Sequence, residues 1–187
     1  AARDGTVHWH HGDITDWAPE QAVDLILANA ALQWVGDHER LFPRLARHLA
    51  PGGVLAVQMP MAFETRHHTL MRQVAADGPW AGALLDVPTI AALLSAETYY
   101  DRLADACAHI DIWSTTYLHA LTGEDAVLNW MSGTALRPYL TALAGVPALK
   151  SAYLHALAEA LRRAFPMRSD GVTLLPFPRL FLLARAR

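Results

Sequence analysis

The sequence contains a single cysteine, Cys107, so no internal disulfide can form. It falls in an apolar helical pattern, where a small core side chain is the simplest reading and a reducing compartment suits it. Basic residues are also scarce. Fifteen Lys plus Arg against 18 Asp plus Glu give a formal net charge of -3 with no long run of one sign, which provides no field for nucleic acid. No apolar run approaches the roughly 20 residues that span a bilayer, and Ala1-Ala2-Arg3-Asp4-Gly5 has no signal-peptide core. A soluble, cytoplasmic protein without membrane or nucleic-acid partners is expected. No G-x-G-x-x-G turn follows any strand candidate, which argues against a nicotinamide-dependent oxidoreductase. Internal repeats, low-complexity tracts and flexible linkers are absent too.

What is present is a core. With 53 % hydrophobic residues in 187, the chain supports one sizeable domain and does not need two. The organising stretch runs from Asp24 to Val35. Val23 to Ala28 is a short apolar run of the kind buried on both faces of a parallel sheet, and Asn29, Gln33 and Trp34 follow where that strand should end. In open α/β sheets, ligands bind beyond the carboxyl ends of the strands, so these side chains are expected to wall a site. Asp37 is a candidate N-cap for a helix with Leu41, Phe42, Leu45 and Leu49 on one face. That helix is expected to stop at Ala50-Pro51-Gly52-Gly53, and a second apolar strand starts at Val54 and brings Gln58 and Met59 to the same edge.

These strings carry a family resemblance. Gly12-Asp13-Ile14, then Asp24-Leu25-Ile26 with Asn29, then Leu49-Ala50-Pro51-Gly52-Gly53-Val54-Leu55 resemble the middle of a class I S-adenosylmethionine-dependent methyltransferase. Asn29-Ala30 with Gln33-Trp34, Val57-Gln58-Met59-Pro60, Asp111-Ile112-Trp113, Leu136-Arg137-Pro138 and Phe177-Pro178-Arg179-Leu180-Phe181 extend it over nearly the whole chain. They resemble the branch that esterifies a small polycarboxylic acid. The resemblance implies an α/β, Rossmann-like sheet with an antiparallel last strand and helical insertions at 61–98 and 122–168 forming a cap. It further implies that residues 1–187 are one domain lacking the family's first two strand-helix units. The family's glycine-rich loop and ribose-binding acid would then precede Ala1, and the isolated chain would bind S-adenosylmethionine weakly.

Taken in order, Val7 to His10 is a strand candidate that Gly12-Asp13 ends. By resemblance Asp13 and Ile14 border the cofactor's adenine; by residue type alone Asp13 merely starts a turn. His8, His10 and His11 lack the spacing of a metal set. Trp80 follows a Gly-Pro turn and reads equally as a lid aromatic or as a local anchor. Tyr99, Leu103 and Cys107 repeat at helical spacing. Ile110 to His119 is a strand whose alternation puts Trp113, Thr115, Tyr117 and His119 on one face. Helix is expected from Glu124 to Leu143, broken near Gly133 and at Pro138, and again from Pro147 to Phe165, where Leu149, Tyr153, Leu157, Leu161 and Phe165 form a core stripe. Pro176 and Pro178 interrupt the last strand, so its regular part is expected near Arg179. Arg179 must pair with a carboxylate of the protein or of a ligand. Five strands and six or seven helices are expected.

The resemblance also implies the chemistry, a methyl transfer from S-adenosylmethionine to a substrate carboxylate. Carboxylic acids ionise near pH 4 or so, so no catalytic base is needed and the enzyme contributes positioning. Arginine suits the remaining carboxylates because its planar fork binds them bidentately. Arg137 and Arg179 are the expected clamps, converging on one acidic ligand, with His119, Tyr117 and Tyr139 as further substrate contacts. Asn29, Gln33 and Trp34 are expected beside the methionine half of the cofactor. Two alternatives stay open: an acceptor hydroxyl or carbon, for which His119 would be the base, and an inactive methyltransferase-like binding protein.

Overall fold

The computed structural model describes residues 7–89 and 91–187. Four strands form one sheet in the order β1-β2-β4-β3, with β1 at Val23–Asn29, β2 at Leu49–Pro60, β3 at Cys107–Thr122 and β4 at Val172–Ala186. β1 and β2 are parallel and joined through α1 (His38–Arg47), whereas β4 runs antiparallel to both β2 and β3. The last strand is antiparallel, as the resemblance implies. Val7 to His10 forms no strand. The outer edge of β1 pairs with no strand among the described residues, so this segment has no ladder to join.

The Pro-Gly-Gly segment does not lie where its residue types suggested. α1 ends at Arg47, and β2 begins at Leu49 and absorbs Pro51, Gly52 and Gly53 as an irregularity opposite Val23 and Leu25. Gly52 takes φ +77°, and a Cβ on Gly53 would lie 2.9 Å from the carbonyl oxygens of both Ala50 and Val23. Glycine is needed there for backbone contact inside a strand. Asp37 precedes α1 in the left-handed region and makes no side-chain cap; its carbonyl accepts from Arg40 and Leu41 instead.

β3 and β4 are longer than their neighbours. β2 reaches only the Pro60–Arg179 pair, while β3 and β4 continue from Thr116–Pro178 to Thr122–Val172 as a two-stranded ribbon beyond the carboxyl edge of β1 and β2. β4 is therefore regular from Val172, earlier than expected. The Pro178 carbonyl accepts from the Met61 N–H at 2.9 Å, so the proline nitrogens face the side where β2 has ended and remove no bond from β3.

Two apolar cores result. On one sheet face, Ile26, Leu55, Val57, Met59, Leu180 and Leu182 pack on Phe42 and Leu45 of α1 and on Tyr99 and Leu103 of α4 (Ala96–Leu103). The second core joins helices from two separate chain segments: α2 (Arg66–Ala76) and α3 (Ala81–Leu84) from the first, α5 (Ala126–Ser132), α6 (Arg137–Ala142) and α7 (Pro147–Ala164) from the second. Met71, Trp80, Met131, Tyr153 and Leu157 fill it, and Leu175 of the ribbon closes its base. Trp80 is an anchor, buried with its indole N–H donating to the Val74 carbonyl at 2.7 Å.

Candidate functional site

The side chains at the carboxyl edge of the sheet lie in one row. Asn29 pairs in register with Gln58, and the buried Gln58 amide oxygen accepts from Arg179 Nη1 at 3.1 Å. Strand alternation puts Arg179 beside Tyr117 and Phe177, whose rings lie 5.0 and 5.4 Å from its guanidinium carbon. No carboxylate of the described ion pairs reaches it. Arg179 Nε and Gln58 Nε2 are buried without a partner among the described residues. A half-buried cation answered only by a neutral amide and two aromatic faces retains a strong attraction for an anion.

The turn after β1 is built to hold Gln33 and Trp34. Ala30 turns the chain at φ 51°, a 3-10 helix follows (Leu32–Trp34), and Gln33 Nε2 donates to the Ala30 carbonyl at 2.8 Å. His38 braces the turn from beneath. Its Nε2 lies 2.9 Å from the Leu32 carbonyl, which can only accept, so Nδ1 takes the proton of the Tyr99 hydroxyl at 2.6 Å. Gln33 Oε1 is left buried with no donor among the described residues, while Trp34 is 62 % exposed at the rim.

Asp13 and Ile14 lie along β1, lining a groove of about 480 Å3 with Leu25, Ile26 and Leu27. Asp13 makes a turn: its carboxylate accepts from Thr15 N and Oγ1, each at 2.8 Å, which holds it below the ordinary carboxylate value. Arg44 of α1 anchors this loop by donating to the carbonyls of Ile14 and Trp17.

A recess of about 310 Å3 opens between the turn and the second core, with Gln33, Trp34, His68, Arg72, Pro138 and Tyr139 in its wall. His68 and Arg72 were missed in the sequence, although they stand one helical turn apart on α2 and so share a face. His67 packs against Trp130 and Phe177, as does His119 of β3 at 5.7 and 5.6 Å. Burial pushes His67 down to about 3, with the charge of His68 adding to it, and His68 down to about 4, with Arg72 adding to it. Tyr139 lines the recess, but Arg137 does not. Because Leu136 and Tyr139 take the buried side of α6, Arg137 is exposed in an outer hollow beside Asp86 and Val87. Arg137 and Arg179 share neither partner nor wall among the described residues, so their expected convergence is absent from this structure.

A parallel pair extended by an antiparallel pair, with polar residues along its carboxyl edge and a helical layer beside them, is the arrangement of a methyltransferase fold. The Methyltransferase domain family model matches residues 1–57. The YcgJ protein of Bacillus subtilis, whose crystal structure superposes with a TM-score of 0.52 at 13 % identity over 94 % of this chain and 69 % of that one, has a similar fold. Sequence similarity is much closer to the trans-aconitate 2-methyltransferases of Azoarcus sp. (strain BH72), 47 % identical over 95 % of this chain and 69 % of the relative, and of Methylobacterium radiotolerans, 49 % identical over 92 % and 67 %. The chain belongs to the trans-aconitate 2-methyltransferase family. It spans about two thirds of the length of these relatives.

Proposed function

We propose that the protein transfers the methyl group of S-adenosylmethionine to one carboxylate of a small polycarboxylic acid, trans-aconitate, giving a monomethyl ester. The observation that carries this reading is Arg179, a half-buried guanidinium at the carboxyl edge that finds no carboxylate among the described residues. The methyl donor fits the residues beside it. Gln33 Oε1 is a buried acceptor without a donor among the described residues, and the methionine half of S-adenosylmethionine carries an ammonium group that can supply one. Asn29 and Trp34 border the same end, and the Asp13–Ile14 groove along β1 suits the adenine.

When bound, S-adenosylmethionine supplies an electrophilic methyl on a sulfonium centre. Arg179 holds a carboxylate of the acceptor and so orients the molecule, with Tyr117 packed under the guanidinium and Gln58 accepting from its Nη1. Orientation of an already ionised nucleophile can lower the barrier by on the order of 7 kcal/mol. No residue needs to take a proton. His119 supports this, because its ring packs against Trp130 and Phe177 and makes none of the ion pairs among the described residues that would orient it as a base. The helices of 61–98 and 122–168 act as the cap that excludes water from the reacting carboxylate.

The test is methyl transfer from isotopically labelled S-adenosylmethionine to trans-aconitate, read as the monomethyl ester by mass spectrometry. Ester formation with trans-aconitate, and none with alcohol analogues lacking the carboxylates, is the expected result. Cofactor binding without ester would overturn the reading.

A further inference from the structure

The recess between the Gln33–Trp34 turn and α2 holds a cation that the mechanism above leaves unused. Arg72 is half-buried, lies over the Phe63 ring at 4.1 Å, and takes part in none of the ion pairs among the described residues. One turn earlier, His68 is 5 % exposed and has no hydrogen-bond partner in the protein among the described residues. Its neutral ring keeps one N–H to donate near pH 7. Tyr139 stands in the same wall; burial raises its phenol above the ordinary value, so it too remains a donor. Arg72, His68 and Tyr139 thus supply three donors, and no acid, to the wall of a recess that also presents apolar groups such as Trp34, Met71 and Pro138. Arg179 is not part of that lining.

Donors of this kind recognise a carboxylate. The planar guanidinium can take both oxygens, and the apolar wall strengthens the attraction by excluding water. The apolar lining suits the carbon skeleton that joins two acid groups.

We propose that Arg72, with His68 and Tyr139, forms a second carboxylate site that holds an acid group of the acceptor remote from the one being methylated, and so selects polycarboxylic over monocarboxylic acids. This rests on the reading of the acceptor as an acid. Arg72 and His68 are binding residues in it, and their loss acts on KM and leaves kcat nearly unchanged.

The experiment is calorimetry on the full chain with S-adenosylhomocysteine present, titrating trans-aconitate and, separately, the monocarboxylate crotonate. Arg72→Met is expected to weaken trans-aconitate about tenfold or more, as loss of a charge-assisted bond does, and to change crotonate less than about twofold. Arg72→Lys falls between, and His68→Gln gives the same selective loss in smaller measure. Circular dichroism melts of each variant establish that the fold is retained; if Arg72→Met does not fold, His68→Gln and Arg72→Lys carry the test. An unchanged ratio of the two affinities in the folded variants overturns the second site, as does failure of the wild-type chain to bind trans-aconitate. Methyl transfer on the same samples separates the two proposals. Ester formed without dependence on Arg72 removes only the second site, and Arg72-dependent binding without ester removes only the reaction.

Discussion

His38 and Tyr99 share a 2.6 Å hydrogen bond beneath the turn that carries Gln33 and Trp34, joining α1, α4 and the end of β1 at one buried point. The tautomer is set by the Leu32 carbonyl on the other side of the ring, so Tyr99 is the only donor that Nδ1 meets among the described residues. Tyr99→Phe leaves Nδ1 unpaired in the core and should destabilise the fold by about 1–3 kcal/mol. Urea unfolding measures the loss, and amide exchange at Trp34 and Val35 should speed up ahead of the rest of the sheet.

The buried pair His67 and His68 makes stability depend on pH. Both rings are held below the ordinary imidazole value, at about 3 and about 4, chiefly by burial. The unfolded chain binds these protons at a higher pH than the folded one does. Their contribution is therefore complete above about pH 6.5 and is lost as pH falls toward the folded values. The loss at pH 5 should be about 4 kcal/mol relative to pH 7.5, an order-of-magnitude figure for two adjacent rings. A His67→Leu/His68→Gln chain should show a flatter dependence over that interval in urea unfolding.

Gly53 has no room for a methyl group. A Cβ there meets two backbone oxygens at 2.9 Å, and neither is a flexible side-chain end that can move aside. Gly53→Ala should cost about 1–3 kcal/mol through overpacking, whereas Gly82→Ala, in open space, should be near neutral. Thermal melts of the two variants side by side distinguish a packing effect from a general cost of replacing glycine.

Arg179→Lys keeps the charge and loses the planar fork. On the proposed mechanism it should weaken trans-aconitate by about 1–3 kcal/mol while leaving S-adenosylhomocysteine binding nearly unchanged. Calorimetry with each ligand checks both halves. Equal losses for the two would mean that Arg179 holds the edge together and does not select the acid.

Much of the local order was legible in the sequence. The strand at Val23 to Ala28, the alternation that put Trp113, Thr115, Tyr117 and His119 on one face, and the stripe from Leu149 to Leu161 are reproduced, because each follows from a backbone period. Burial of the first strand on both faces is not: Ile26 is buried, but Leu25 and Leu27 are 57 % and 70 % exposed on the face that no helix among the described residues covers. Pro51-Gly52-Gly53 misled as well. The residue types signal a break, but the β1 backbone draws the segment into a strand as a bulge.

Which polar residues meet was decided only by the tertiary structure. Arg137 and Arg179 looked alike as isolated cations beside prolines, yet one faces outward on α6 and the other is drawn over Tyr117 and Phe177 by the β3–β4 register. His68 and Arg72 had no distinguishing pattern in a helix rich in basic residues. They become a pair because α2 packs with α5, α6 and α7 in a core assembled from two distant segments. Periodicity fixes which face of an element is buried, since that depends on neighbours in the chain; the partner that buries it depends on contacts between segments far apart, and these decided where the unpaired cations stand.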